Sequence, residues 1–244
     1  SGDGRRVYWS LGPELFEREL AQTFRVEARD SAAIRREPEA SGRFIGLRAA
    51  TDRPSGRVAL TGATVITMRG AEVLRDATIV VEGNRIAAIG PSASVAVPAD
   101  ARRVDVAGKY VMPGLVDVHA HIGTGSNGIT PNTHWGFLAN LAFGVTTMHD
   151  PSNDTHLVFS ASELLKAGDM VGPRLYSTGT ILYGAEGSFK AVTTSYEEAL
   201  SHLRRMQAVG AFSVKSYNQP RRDARQQIVE AARSLGMMVV PEGG

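Results

Sequence analysis

Apolar and polar positions change rhythm along this chain, and the change divides it. Between residues 58 and 112 short β-prone runs alternate with turns: Ala63-Thr64-Val65-Ile66-Thr67, Thr78-Ile79-Val80-Val81 and Arg85-Ile86-Ala87-Ala88-Ile89. Glu82-Gly83-Asn84 between the last two predicts a hairpin, because a tight two-strand connection needs residues that accept a left-handed backbone. This zone reads as a small β-domain. From about 113 the pattern becomes strand then helix, repeated. Gly114 to His121, Val145 to Asp150, Arg174 to Ser177 and Ala211 to Tyr217 read as strands, and Met237 to Val240 opens a fifth. The helices between them are expected to end at Gly144, Gly168, Gly210 and Gly236, where a left-handed residue closes the last turn. Ser195 with Glu198 predicts a capping box for the third helix, whose Leu200, Leu203 and Met206 share one face.

Regular βα repeats imply a parallel sheet with right-handed crossovers, either doubly wound or closed into a barrel. A complete eight-unit barrel takes about 250 residues. The stretch 113–244 therefore predicts an α/β fold holding about the first half of a TIM-type barrel, preceded by a small β-sandwich at 58–112. Residues 1–57 form a third zone. Asp3-Gly4-Arg5-Arg6 feeds the β-prone Val7-Tyr8-Trp9, after which the chain turns Arg- and Glu-rich to about residue 43.

Composition narrows the chemistry. With 43% hydrophobic and 21% charged residues the 244-residue chain is a folding sequence rather than a disordered one. A net charge of +2 offers no concentrated basic surface for nucleic acid. No apolar run is long enough to span a membrane. There is no cysteine, so a bound metal must be held by nitrogen and oxygen donors.

Val116-Asp117-Val118-His119-Ala120-His121 supplies such donors. On an extended strand Leu115, Asp117, His119 and His121 share one face. Two imidazoles then converge at the carboxyl end of the first strand, the end at which barrel active sites form. Neutral imidazole suits zinc and similar divalent ions. Two histidines satisfied by ordinary hydrogen bonds are the alternative.

Tyr110-Val111-Met112-Pro113-Gly114-Leu115-Val116-Asp117-Val118-His119-Ala120-His121 closely resembles the amidohydrolase superfamily signature, and the imidazolonepropionase- and dipeptidase-like branch in particular. Val80 to Gly90 resembles the small β-sandwich half ahead of that superfamily's barrel, and Gly144-Val145-Thr146-Thr147 its second strand. The likeness covers roughly 58–244. It implies a metal-dependent hydrolase that cleaves amide or cyclic amide C–N bonds with metal-activated water, using one or two divalent ions, zinc above all.

The resemblance also implies site residues. Lys215, in Ser213-Val214-Lys215-Ser216-Tyr217, stands where binuclear members carry a lysine carboxylated on its amine. The carbamate is an anionic oxygen donor that bridges two metals, so Lys215 is assigned a catalytic and metal-binding role. A lysine that snorkels or pairs with a carboxylate is the other reading. Many relatives place a histidine on strand five; here the chain reads Val239-Val240-Pro241-Glu242, and Glu242 either replaces that ligand or is a solvated loop residue. His149, at the end of strand two, and Arg221 and Arg222, on the loop after strand four with Asn218, are candidates for substrate contact. His134, His156 and His202 read as surface residues.

The usual general base, an aspartate on strand eight, would lie beyond residue 244, so residues 1–244 alone are expected to be inactive and unstable. Two rival functions are a mononuclear deaminase of the same superfamily and a non-catalytic binding or scaffold protein with a vestigial metal site. The expected partner is a small-molecule or peptide-like substrate, and an oligomer is compatible with the sequence. Ser1 to Trp9 resembles the turn and strand of a TolB-like propeller blade, with Gly2 where that pattern has proline. This points to the bacterial periplasm or envelope.

Overall fold

A computed structural model describes residues 2–11, 14–23, 42–45 and 48–243. Most of the Arg- and Glu-rich stretch before residue 43 lies outside the described residues. At the N-terminus β1 (Arg6–Leu11) pairs antiparallel with β2 (Glu14–Glu19), followed by a single turn α1 (Leu20–Thr23) and by β3 (Arg43–Phe44) on the far edge of β2. The stacked rings of Trp9 and Phe16 hold this sheet together across the first pair.

The 58–112 zone folds as one five-stranded sheet. Its long strands are β4 (Arg57–Ile66), β5 (Val73–Glu82) and β6 (Arg85–Pro91), with β7 (Arg102–Asp105) and β8 (Tyr110–Val111) both parallel to β4. Gly83 and Asn84 make the two-residue connection between β5 and β6 as the sequence predicts, and Gly83 has φ +56°. Ala63, Val65, Ala77 and Ile79 form its buried centre.

The remaining chain alternates strand and helix in two parallel sheets. The first has the order β11 (Arg174–Ser177), β10 (Val145–Asp150), β9 (Leu115–Asp117). The second has the order β13 (Lys190–Ala191), β12 (Ile181–Leu182), β14 (Ser213–Ser216), β15 (Met238–Pro241). Residues 178–180 carry the chain from one sheet to the other. Four helices connect the strands: α2 (Trp135–Ala142), α3 (Thr155–Ala167), α4 (Tyr196–Ala208) and α5 (Arg222–Ser234). Each is followed within two residues by one of the four predicted glycines, all with positive φ. Ser195 caps α4 by accepting from the Glu198 amide, but the Glu198 carboxylate reaches past it to the amide and hydroxyl of Thr194.

Burial follows these layers. Phe137, Met148, Val158, Ala161 and Leu175 pack under the first sheet, and Leu182, Leu203, Val214, Ile228 and Ala231 under the second. Phe159 of α3 packs against both cores. Gly114, just before β9, is required by a close approach: a Cβ there would overlap the Thr146 side chain on the neighbouring strand.

Candidate metal centre

Strand β9 is shorter than the sequence predicts. It stops at Asp117, whose Oδ1 accepts a hydrogen bond from the His119 amide at 3.0 Å, so a turn replaces the extended run expected through His121. A side chain that can bond the backbone two residues on offers it an alternative to the sheet ladder. The imidazoles converge nonetheless. Ala120 is buried in the first core and its amide donates to the His149 carbonyl at 2.9 Å. That pins the middle residue inward and leaves both flanking rings on the rim, with His119 Nε2 3.1 Å from His121 Nε2.

Across the seam, all four residues of β14 are buried, and Lys215 lies in register with Val240 of β15. Glu242 follows β15 directly, its amide donating to the Ser216 carbonyl at 3.0 Å. Its Oε2 sits 2.6 Å from Lys215 Nζ and 3.4 Å from His119 Nε2. The Lys215 ammonium holds the Glu242 carboxyl below the usual carboxylate range. The predicted residues His119, His121, Lys215 and Glu242 therefore share one site, built from the ends of β9, β14 and β15.

Does this donor set fit a metal ion? Among the described residues no three His, Asp or Glu side chains close around an ion-sized centre as they stand. The pairwise distances speak for a fit. Ligands about 2.0–2.1 Å from one tetrahedral ion lie roughly 3.3 Å from each other. The His119–His121 and His119–Glu242 separations of 3.1 and 3.4 Å bracket that value. Glu242 Oε2 is buried and, although ion-paired with Lys215, makes no well-aligned hydrogen bond. The cation now facing it is the Lys215 ammonium, so the set accommodates positive charge at this point, and nitrogen with carboxylate oxygen suits zinc and its neighbours.

Groups behind the rim orient it. Asp150, at the end of β10, is 1% exposed, and its Oδ1 lies 3.8 Å from His121 Nδ1 on the side away from His119. Burial pushes the Asp150 carboxyl up, while donors from Asn153 at 2.7 Å and the Ser152 amide at 3.0 Å pull the other way. A carboxylate behind a ligand imidazole is the usual device for fixing its ring and tautomer. His149 is half-buried and does not pair with Asp150; its Nε2 meets Ser213 Oγ at 2.8 Å, tying the two sheets together. Burial lowers its pKa.

The sequence reading missed Arg225. Its guanidinium donates to the carbonyls of Tyr217 at 3.0 Å, Glu242 at 3.0 Å and Gly243 at 2.8 Å, stapling the end of β14 to the end of β15. Three arginines stand close together in sequence here, and only the fold distinguishes the one that points inward. Arg221 instead pairs with Asp223 at 3.0 Å at the start of α5, and Arg222 is exposed. His156 is exposed as expected, and His134 is half-buried against Phe137. His202 corrects the reading: it is 4% exposed, donates from Nε2 to the Thr180 carbonyl at 3.2 Å, and burial lowers its pKa to about 4. It lies on the inward stripe of α4 beside Leu203 and Met206, which outweighs its polarity.

No family model matches the chain. Individual proteins do. It is 41% identical over 66 residues to a 5-methylthioadenosine/S-adenosylhomocysteine deaminase of Symbiobacterium thermophilum, covering 27% of this chain and 15% of that one. It is 28% identical over 169 residues to a dihydroorotase of Syntrophotalea carbinolica, covering 66% and 36% respectively. The fold is shared with phenylurea hydrolase B at a TM-score of 0.59 and 24% identity, over 76% of this chain and 55% of that one. The chain thus spans about a third or less of these curated relatives and about half of that solved structure. It combines a paired-histidine rim on a parallel α/β scaffold with sequence similarity to deaminases and a dihydroorotase, the likeness to amidohydrolase superfamily enzymes that its signature run suggests.

Proposed function

We propose that this chain is the front part of a metal-dependent hydrolase acting on amide or cyclic amide C–N bonds. The observation that carries the reading is the convergence of His119, His121, Lys215 and Glu242 from three separate strand ends onto one rim. In this reading residues 113–244 are about half of a (β/α)8 barrel and residues 58–112 belong to the β-sandwich domain ahead of it. The antiparallel pairing of β1 with β2 supports reading residues 1–57 as a propeller remnant plus linker, and with it an envelope location.

A divalent ion, when bound, lowers the pKa of a water toward neutrality and polarises a carbonyl. His119 and His121 would hold it through Nε2 and Glu242 through Oε2. Lys215, once its amine has lost a proton and taken up carbon dioxide, would present an anionic oxygen in place of its ammonium and release Glu242 from the present ion pair. Asp150 keeps the His121 ring turned toward the site. His149, whose pKa burial lowers, keeps the two sheets in register through Ser213.

The test is metal analysis with an activity panel on the intact protein. Loading with zinc followed by dialysis should leave one or two ions per chain, and hydrolysis of N-acyl amino acids or cyclic amides should disappear with chelation. An ion-free protein under replete conditions overturns the reading. One ion per chain, unchanged in Lys215→Ala, with release of ammonia from aminopurines, would replace it with the mononuclear deaminase.

A further inference from the structure

Beside the metal centre a run of alternating cations and rings leads outward. Lys215 Nζ lies 4.9 Å from the Tyr217 ring centroid, Tyr217 lies 5.1 Å from Tyr183, and Lys190 Nζ lies 4.7 Å over the Tyr183 ring. The inner lysine is neutralised by Glu242. The outer one is not. Among the described residues no carboxylate comes within ion-pair reach of Lys190, and Glu186 on the same loop makes no pair with it.

The loop that carries Lys190 is held in place. Tyr183 and Ile181 donate their amides to Ala191 and Phe189 at 2.9 Å, and Lys190 donates back to Gly187 at 3.1 Å. Gly184 donates to the Asn218 carbonyl at 2.9 Å, and Gln219 Nε2 to the Leu182 carbonyl at 3.0 Å, so the loop is latched to the one that follows Lys215. Phe189 holds φ +44°, a left-handed conformation that a bulky side chain adopts only when its surroundings impose it. A lysine that is half-buried, seated on an aromatic face and lacking an acidic partner carries charge its own protein does not neutralise. Its ammonium is a compact point charge with three donors, able to hold a carboxylate through a charge-assisted hydrogen bond.

We propose that Lys190, seated on Tyr183 and joined through Tyr217 to Lys215, anchors a carboxylate at the far end of an elongated amide or peptide substrate. The apolar middle of that substrate lies along the Tyr183 and Tyr217 rings, and the scissile bond lies at His119 and His121. This assignment rests on the hydrolase reading for the reacting end alone. Three contacts of about 5 Å allow up to about four extended residues between the ends, at roughly 3.5 Å each.

Calorimetric titration of the intact, metal-loaded protein with acetyl-trialanine and with its C-terminal amide reads the anchor directly. The acid is expected to bind about tenfold more tightly than the amide, the scale of one charge-assisted contact. Lys190→Gln should close that gap, Lys190→Arg should keep most of it, and Lys190→Glu should invert it, all with unchanged metal content and circular dichroism. Equal binding of acid and amide by the wild type, or a gap that survives Lys190→Gln, overturns the assignment. Turnover of the same peptides separates the two readings: a Lys190-dependent gap in a protein that hydrolyses neither upholds the anchor and counts against the hydrolase.

Discussion

His119 and His121, at the end of the first parallel sheet, keep 46% and 52% of their side-chain surface in solvent, whereas Lys215, on the second, keeps 3%. The two sides of one site are thus built by different means. Lys215 is delivered by a fully buried strand lying over a core of Leu182, Leu203, Val214 and Ile228, so its position is a by-product of packing. The imidazoles project from a turn and are held by single interactions: Asp117 on the His119 amide, the His149 carbonyl on Ala120, and Asp150 behind His121. The contrast teaches where to act: ion affinity should respond to small changes behind the first sheet, and stability to changes beneath the second.

The largest effect tests that division at its root. His119→Ala/His121→Ala should lose at least about a thousandfold in zinc affinity, since two of the nitrogen donors go, yet leave the thermal midpoint of the ion-free protein nearly unchanged. A large drop in that midpoint would make the rim part of the scaffold and erase the contrast. His202 probes the second side. Its folded pKa of about 4 lies below the ordinary value of 6.5, so the neutral imidazole stabilises the fold fully above pH 6.5, and that stability is lost as pH falls from 6.5 toward 4. Between pH 7 and 4.5 the wild type should lose about 2 kcal/mol more unfolding free energy than His202→Gln, measured by denaturant titration.

Two smaller effects sharpen the first side. Asp150→Asn should weaken zinc binding by roughly 10–100-fold, the usual cost of removing a carboxylate behind a ligand imidazole. Equilibrium dialysis checks it, and an unchanged affinity would mean that Asn153 and Ser152, not His121, explain the buried acid. Arg225→Met should cost nearer tenfold in zinc affinity, because it acts on Glu242 only through the backbone. It should also raise the amide exchange rate of Glu242, whose N–H bonds Ser216.

How much of this was legible beforehand depends on whether local chemistry or tertiary packing decides. The Gly83-Asn84 hairpin, the helix-closing glycines, strands β10 and β11 and the placing of Lys215 on β14 could be read from short windows, since turn geometry and apolar runs act within a few residues. The end of β9 could not, because Asp117 diverts the backbone with its own side chain while every neighbour favours a strand. His202 looked like surface because a histidine on a helix with many charges usually is; its place beside Leu203 on the buried stripe was the available signal. Arg225 gave none, since its partners are three backbone carbonyls, at the ends of two separate strands, that no side-chain pattern announces. Asp150 could have been suspected from its position closing a strand that ends beside the paired histidines.

The crowding of Gly114 against Thr146 makes a claim about evolution. The glycine of the Pro113-Gly114 pair is tied to a particular neighbour rather than to a turn, so across related sequences its identity should covary with the bulk at position 146. Lineages that shrink Thr146 to alanine or glycine gain freedom to put a side chain at 114, and those that keep threonine do not.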